Sequence, residues 1–298
     1  MLYVLLYLHD INRHRQAKEN HMGATLQNID YENLEDVELL TDEMQELKIK
    51  KNNHTYCMKI HAKPATDKCM IFSNGAVDPN KNKPPVYMRS SWSGDIDASA
   101  IFIDDPTLHG TKLRLGWGQG NRDVFHLEEI ADILQILLTK MNVENDGAYF
   151  FGSSAGGFMS LYYSILIKGS TAVVNNPQTK VLNYLEAHVK NMLKKSYGIT
   201  DIGDVDASLL YRLDIAEAIR HHDYFPAKIY YFQNQSCEAD IENQLNPFID
   251  TLKKYGIEAK GLNIISYFDE HLGHNPIRKN DTVNIINKIL NGELALPI

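Results

Sequence analysis

Short, uninterrupted apolar runs alternate with amphipathic stretches over most of this chain, and few architectures accommodate that order. The runs KCMIFSNGA, ASAIFIDDP, GAYFFG, TAVVNN, KIYYFQN and LNIISYF lack the polar alternation of a sheet with one wet face. Each reads as a strand buried on both sides. Between them, residues 124–141 carry apolar side chains at helical spacing, and further helices are expected at 156–167, near 180–195 and 206–220, at 241–254 and at 281–290. Strand and helix repeated in this order predict an α/β fold, a mostly parallel central sheet with helices on both faces. Ahead of it, LKIK, the turn Asn52-Asn53 and HTYCMKIHA read as an antiparallel hairpin at one edge. Residues 12–46 are polar and charged, with a short helix expected around Glu35 to Glu46. The simplest division is an N-terminal arm or cap over 1–46 and one main domain over 47–298.

Composition narrows the function classes. The chain carries 30 Lys+Arg against 38 Asp+Glu, a net charge of −8, with no basic run beyond Lys48, Lys50 and Lys51. That balance argues against binding nucleic acid through its phosphates or docking on an anionic lipid surface. The three cysteines, Cys57, Cys69 and Cys237, are odd in number and lack ligand spacing, so neither a disulfide framework nor a zinc ribbon fits, and a reduced, cytoplasmic setting is expected. The opening apolar run, Leu2 to Leu8, has no basic leader and is broken by His9 and Asp10. It is read neither as a signal segment nor as a membrane span.

The chemistry centres on YFFGSSAGGFMS. Here Gly152-Ser153-Ser154-Ala155-Gly156 satisfies G-x-S-x-G between a short apolar strand and an amphipathic helix, the context in which a sharp turn lifts a serine above the sheet as a nucleophile. The turn would aim the Ala155 amide and the helix N-terminus at a developing oxyanion. A base is expected on the loop after the last strand, DEHLGHNP. His274, following Gly273 on the turn into the closing helix, is preferred to His271. H-x-x-H lacks a third ligand at characteristic spacing, so no metal is expected. An acid should follow the preceding strand, in QSCEADIEN, to hold the imidazole tautomer. Cys237 occupies the usual position there; Asp240 is taken ahead of Glu238. The second oxyanion donor is expected from the SNGA loop, at the Gly75 or Ala76 amide.

IFSNGA, RSSW, DDPTL, LGWGQG, FFGSSAGGFMSL and VVNNPQ together resemble the α/β-hydrolase domain of bacterial surface-glycan O-acetyltransferases. They are also similar to the glycoprotein-modifying, hydrolase-like component of the accessory Sec system. The resemblance spans roughly residues 67–290, and GSSAGG with NPQ is its most specific part. It implies an α/β-hydrolase fold and a Ser–His–acid enzyme that moves or removes an acetyl group on a carbohydrate, with Ser154 and His274 at the motif positions. Relatives tend to carry an Asp where this chain has Cys237. Arg89, Trp92, Trp117 and Gln178 would fall near the mouth of the site as substrate-binding residues, an indole stacking on a sugar and Arg89 meeting a phosphate or carboxylate. No cofactor is required, and acetyl-CoA is compatible as the acyl donor. The competing readings are a binding or scaffold protein in a glycan-assembly or export complex, its triad degraded at the acid, and a peptidase of the same fold.

Overall fold

A computed structural model describes residues 25–294. The opening run from Leu2 to Leu8 lies outside the described residues.

Among the described residues, nine strands form one sheet: β1 (Thr25–Asp30), β2 (Met44–Lys51), β3 (His54–His61), β4 (Cys69–Phe72), β5 (Ser99–Ile103), β6 (Ala148–Ser154), β7 (Thr171–Pro177), β8 (Lys228–Asn234) and β9 (Leu262–Tyr267). Their order across the sheet is β1-β2-β3-β5-β4-β6-β7-β8-β9. From β5 to β9 all neighbours are parallel, while β2 and β3 form the expected antiparallel hairpin. The principal helices are α1 (His126–Lys140), α2 (Ala155–Leu166), α3 (Glu186–Tyr197), α4 (Ile215–His222), α5 (Asn246–Lys254) and α6 (Lys279–Leu290).

The uninterrupted apolar runs follow from burial on both faces. In β4, Cys69 and Ile71 join the larger core beneath α1 and α2, whereas Met70 and Phe72 join a second core with Phe102, Phe151 and α6 residues Ile286 and Ile289. A strand walled in twice has no position to spare for a polar side chain. At the far edge β9 departs from this: its residues are partly or openly exposed, and Ile264 retains 43% of its surface.

The helix expected at Glu35 to Glu46 does not form. A 3-10 turn spans Tyr31–Asp36, and from Val37 the chain runs without helix, through a bend at Asp42 (φ 58°), into β2 at Met44. The segment is instead organised by sheet pairing: β1 runs parallel to β2 outside the hairpin, and Leu34 is fully buried against it. Alternating burial in β2, with Gln45, Leu47 and Ile49 inward, has the period of a strand rather than a helix. The helix expected over 241–254 begins with a π-turn at Ile241–Leu245, and α5 proper starts at Asn246.

Candidate active site

The carboxyl ends of β4, β6, β7, β8 and β9 share one edge of the sheet, where open parallel sheets place their sites. At the end of β6, Ser154 adopts φ 55° and ψ −125°, a conformation that costs a non-glycine residue of order 1–3 kcal/mol. The surrounding glycines make it feasible. A Cβ on Gly152 would lie 2.1 Å from the Gly156 carbonyl oxygen, one on Gly156 2.8 Å from the Ser73 carbonyl, and one on Gly157 2.5 Å from Pro177 Cβ. The strand therefore turns into α2 with backbone against backbone.

The loop after β9 brings His274 over this turn. The Ser154 hydroxyl lies 2.9 Å from His274 Nε2, and His274 Nδ1 lies 2.7 and 2.9 Å from the two carboxylate oxygens of Asp240. A carboxylate only accepts, so Nδ1 carries the proton and Nε2 is free to accept from the serine. The Asp240 side chain is 11% exposed and that of His274 35%, so the carboxylate is sheltered while the imidazole keeps contact with solvent. Asp240 reaches the ring because it lies one helical turn beyond Cys237, on the same face. Glu238 is exposed and makes no hydrogen bond to His274, and His271 is exposed on the same loop. Cys237, Asp240 and His274 also present donor atoms within 4.8 Å of one another. The Nδ1–Asp240 hydrogen bond brings the imidazole and the carboxylate together, and the Cys237 thiol is hydrogen-bonded to the same carboxylate. Burial, with Asp240 beside it, pushes the Cys237 thiol up.

Among the described residues, the amides of Ala155, Gly75 and Ala76 have no hydrogen-bond partner. They lie at the head of α2 and on the loop after β4, beside the serine turn. The apposition of the two loops is tight: Gly156 meets Ser73 and Asn74 carbonyls, and Gly75 faces the Ser153 carbonyl.

Two residues expected at the mouth lie inside it. Trp117 is fully buried and offers no stacking face; its indole N–H donates to Gln178 Oε1. That bond fixes the amide orientation, and Gln178 Nε2 donates to Ser154 Oγ at 3.0 Å. Gln178 thus orients the serine hydroxyl from below. Beneath Trp117, the buried Asp105 accepts from the Thr107 and Gly118 amides, and burial pushes its carboxyl up to about 6. Trp92 is half-buried, its edge set against Phe72 and its face towards Arg89. Arg89 donates from Nη2 to Ser153 Oγ at 2.8 Å.

Sequence reasoning missed an asparagine cradle that carries the histidine loop. Asn176, at φ 42°, accepts from the Asn234 amide and donates to the His274 carbonyl. Asn175 Oδ1 accepts from the Ile277 amide at 2.7 Å. Asn234 donates to the Asp269 and Gly273 carbonyls and accepts from the Asp269 amide. The signal was present as VVNNPQ: two amides at the end of a fully buried strand need partners.

With this geometry in view, solved structures fix the architecture. The chain has the α/β-hydrolase fold. It is similar to the capsule O-acetyltransferase of Neisseria meningitidis serogroup A, with a TM-score of 0.56 at 16% identity over 82% of this chain and 95% of that one. It is also similar to dipeptidyl peptidase 4 of Porphyromonas gingivalis, with a TM-score of 0.60 at 12% identity over 85% of this chain but only 36% of that one. The glycosylation-associated Gap123 complex of Streptococcus agalactiae gives a TM-score of 0.49 at 14% identity, covering 72% of this chain and 40% of that one. No protein-family model and no curated protein matches the chain. No helix among the described residues is long and apolar enough to cross a membrane.

Proposed function

We propose that this protein is a serine esterase or O-acyltransferase that works through an acyl-serine intermediate. The observation that carries the reading is the continuous chain from Ser154 Oγ through His274 to Asp240, at 2.9 and 2.7 Å, on a serine held in a left-handed turn. Ser154 Oγ attacks an ester or thioester carbonyl while His274 Nε2 takes its proton. Asp240 stabilises the resulting imidazolium. The amides of Ala155 and of Gly75 or Ala76 receive the oxyanion of the tetrahedral intermediate. Its collapse breaks the bond to the leaving group, which takes the proton from His274, and leaves the acyl-serine. Water or a sugar hydroxyl, deprotonated by the same imidazole, then attacks and frees Ser154.

The acyl group we assign is acetyl and the acceptor a bacterial surface carbohydrate, a finer reading that follows the resemblance carried by GSSAGG and NPQ. Residues 47–298 form the proposed catalytic domain, with the arm over 1–46 adding β1 beside the hairpin. The degraded-triad scaffold loses ground because Asp240 takes the place left open at Cys237. The test is covalent labelling with a neutral fluorophosphonate. Wild type is expected to be labelled at Ser154, and Ser154→Ala and His274→Ala to lose labelling and at least about 10⁴-fold in ester turnover. An unlabelled, well-folded wild type would overturn the enzyme reading. Adding an oligosaccharide acceptor to the acyl-enzyme and following its acetylation by mass spectrometry separates transfer from hydrolysis.

A further inference from the structure

We propose that Arg89 forms an anion-selective subsite beside Ser154, so that the preferred ester carries a carboxylate or phosphate oxygen close to its reacting carbonyl. The inference rests on the reading of Ser154 as the nucleophile and adds a substrate class to it.

The guanidinium of Arg89 is enclosed by aromatic rings. Its carbon lies 5.2 Å from the Phe151 ring centroid and 5.5 Å from that of Trp92. Nη2 donates to Ser153 Oγ, and Nη1 is buried with no partner among the described residues. No carboxylate pairs with it among those residues; Arg212, likewise buried over two aromatic rings without a carboxylate, donates instead to the Tyr211 hydroxyl and the Asn121 carbonyl and is not among the residues with a buried unpartnered side-chain nitrogen. Burial pushes Arg89 down to about 10, and no neighbouring acid opposes the shift. Aromatic faces and one hydroxyl solvate a cation but do not neutralise it, and buried charges are normally paired.

The chain goes out of its way to keep the group there. Arg89 itself has φ 66°, a left-handed conformation unfavourable for a residue with a side chain. Its loop is pinned by Asn74, which accepts from the Met88 amide at 2.9 Å and donates to the Val86 carbonyl. Asn74 adjoins Gly75, so its side chain ties the proposed oxyanion amide to the arginine within the connection between β4 and β5. The hydrogen-bonded residue, Ser153, directly precedes the nucleophile. With Nη2 held by Ser153, Nη1 is the donor left over at this position, and it is complementary to an oxyanion oxygen that arrives with substrate.

The experiment compares kcat/KM of the full chain on three acyl donors. These are 4-nitrophenyl acetate, which is neutral; 4-nitrophenyl succinate, with a carboxylate on the acyl side; and acetyl phosphate, with a phosphate on the leaving side. From wild type to Arg89→Met, the ratio of anionic to neutral kcat/KM is expected to fall about tenfold to a hundredfold for at least one anionic donor. Intrinsic reactivities cancel in that comparison. Arg89→Lys should retain part of the preference, and the arm that responds distinguishes carboxylate from phosphate. Equal losses on all three donors would mean that Arg89 serves the elbow rather than the substrate, and would overturn the proposal. Should Arg89→Met fail to fold, wild-type turnover of the neutral ester is expected to be inhibited by succinate or inorganic phosphate at constant ionic strength; absence of inhibition by both counts equally against it. Turnover of all donors without these effects sinks the anion subsite alone, while no turnover and no labelling of Ser154 sinks the catalytic reading beneath it.

Discussion

Asp240 orients the imidazole from one helical turn beyond Cys237, and a hydrogen-bonded carboxylate there sets which ring nitrogen holds the proton. Asp240→Asn keeps the shape but presents an amide N–H to Nδ1, which moves the proton to Nε2 and leaves the serine no acceptor. Its kcat on an acetyl ester is expected to fall about 10³- to 10⁴-fold, whereas Glu238→Gln, altering an exposed side chain, should stay within about twofold, the range of ordinary surface substitutions. The reverse pattern would move the acid role to Glu238. Gln178 shows the limit of reading residues one at a time. Its side chain was expected to face a sugar, but the buried indole of Trp117 claims its oxygen and turns its amide towards Ser154. A glutamine just past β7 and a tryptophan on the loop before α1 meet across 61 positions of the chain.

At the scale of elements, the strands between β4 and β8 were legible because burial on both faces leaves continuous apolar runs. The turn into α2 was legible because only small residues permit its backbone approach. The stretch from Glu35 to Glu46 was not, since β1 and the hairpin recruit it through pairing that no helical period encodes. The start of α1 carries an element-level prediction. His126 is buried at the first turn, beside the Tyr56 hydroxyl at 3.1 Å and the rings of His54 and Tyr56. Burial, reinforced by His54 and His109, pushes it down to about 3. Because the folded value lies below the unfolded one of about 6.5, the unfolded chain binds the extra proton. The stability contributed by neutral His126 is therefore complete above about pH 6.5 and is lost as pH falls towards 3. Urea melts between pH 6.5 and 5 should show His126→Gln with a slope of stability against pH shallower by up to one proton, about 1.4 kcal/mol per pH unit. Parallel slopes would exclude His126 as a source of acid sensitivity.

For the molecule as a whole, the sheet is what joins a serine and a histidine 120 positions apart. Asn234 is the joint: it binds the backbone of the histidine loop at Asp269 and Gly273, while its own amide is held by Asn176. Asn234→Ala leaves these groups unpaired, which should cost about 1–3 kcal/mol in urea unfolding. It should also slow fluorophosphonate labelling of the still-folded protein; full stability loss with unchanged labelling would show that the loop is held by other contacts. The amino-acid order by itself determined the alternation of strands and helices, the serine turn and the candidate base, because periodicity, glycine sterics and position at a strand end are local properties. Only the tertiary structure decided that Asp240 rather than Glu238 meets the imidazole, that Trp117 and Gln178 support the serine from within, and that Arg89 has no counter-charge among the described residues. Those outcomes depend on which strands lie side by side and which side chains share an enclosed volume, and hydrogen bonds and desolvation act across space between groups whose separation along the chain carries no record of their contact.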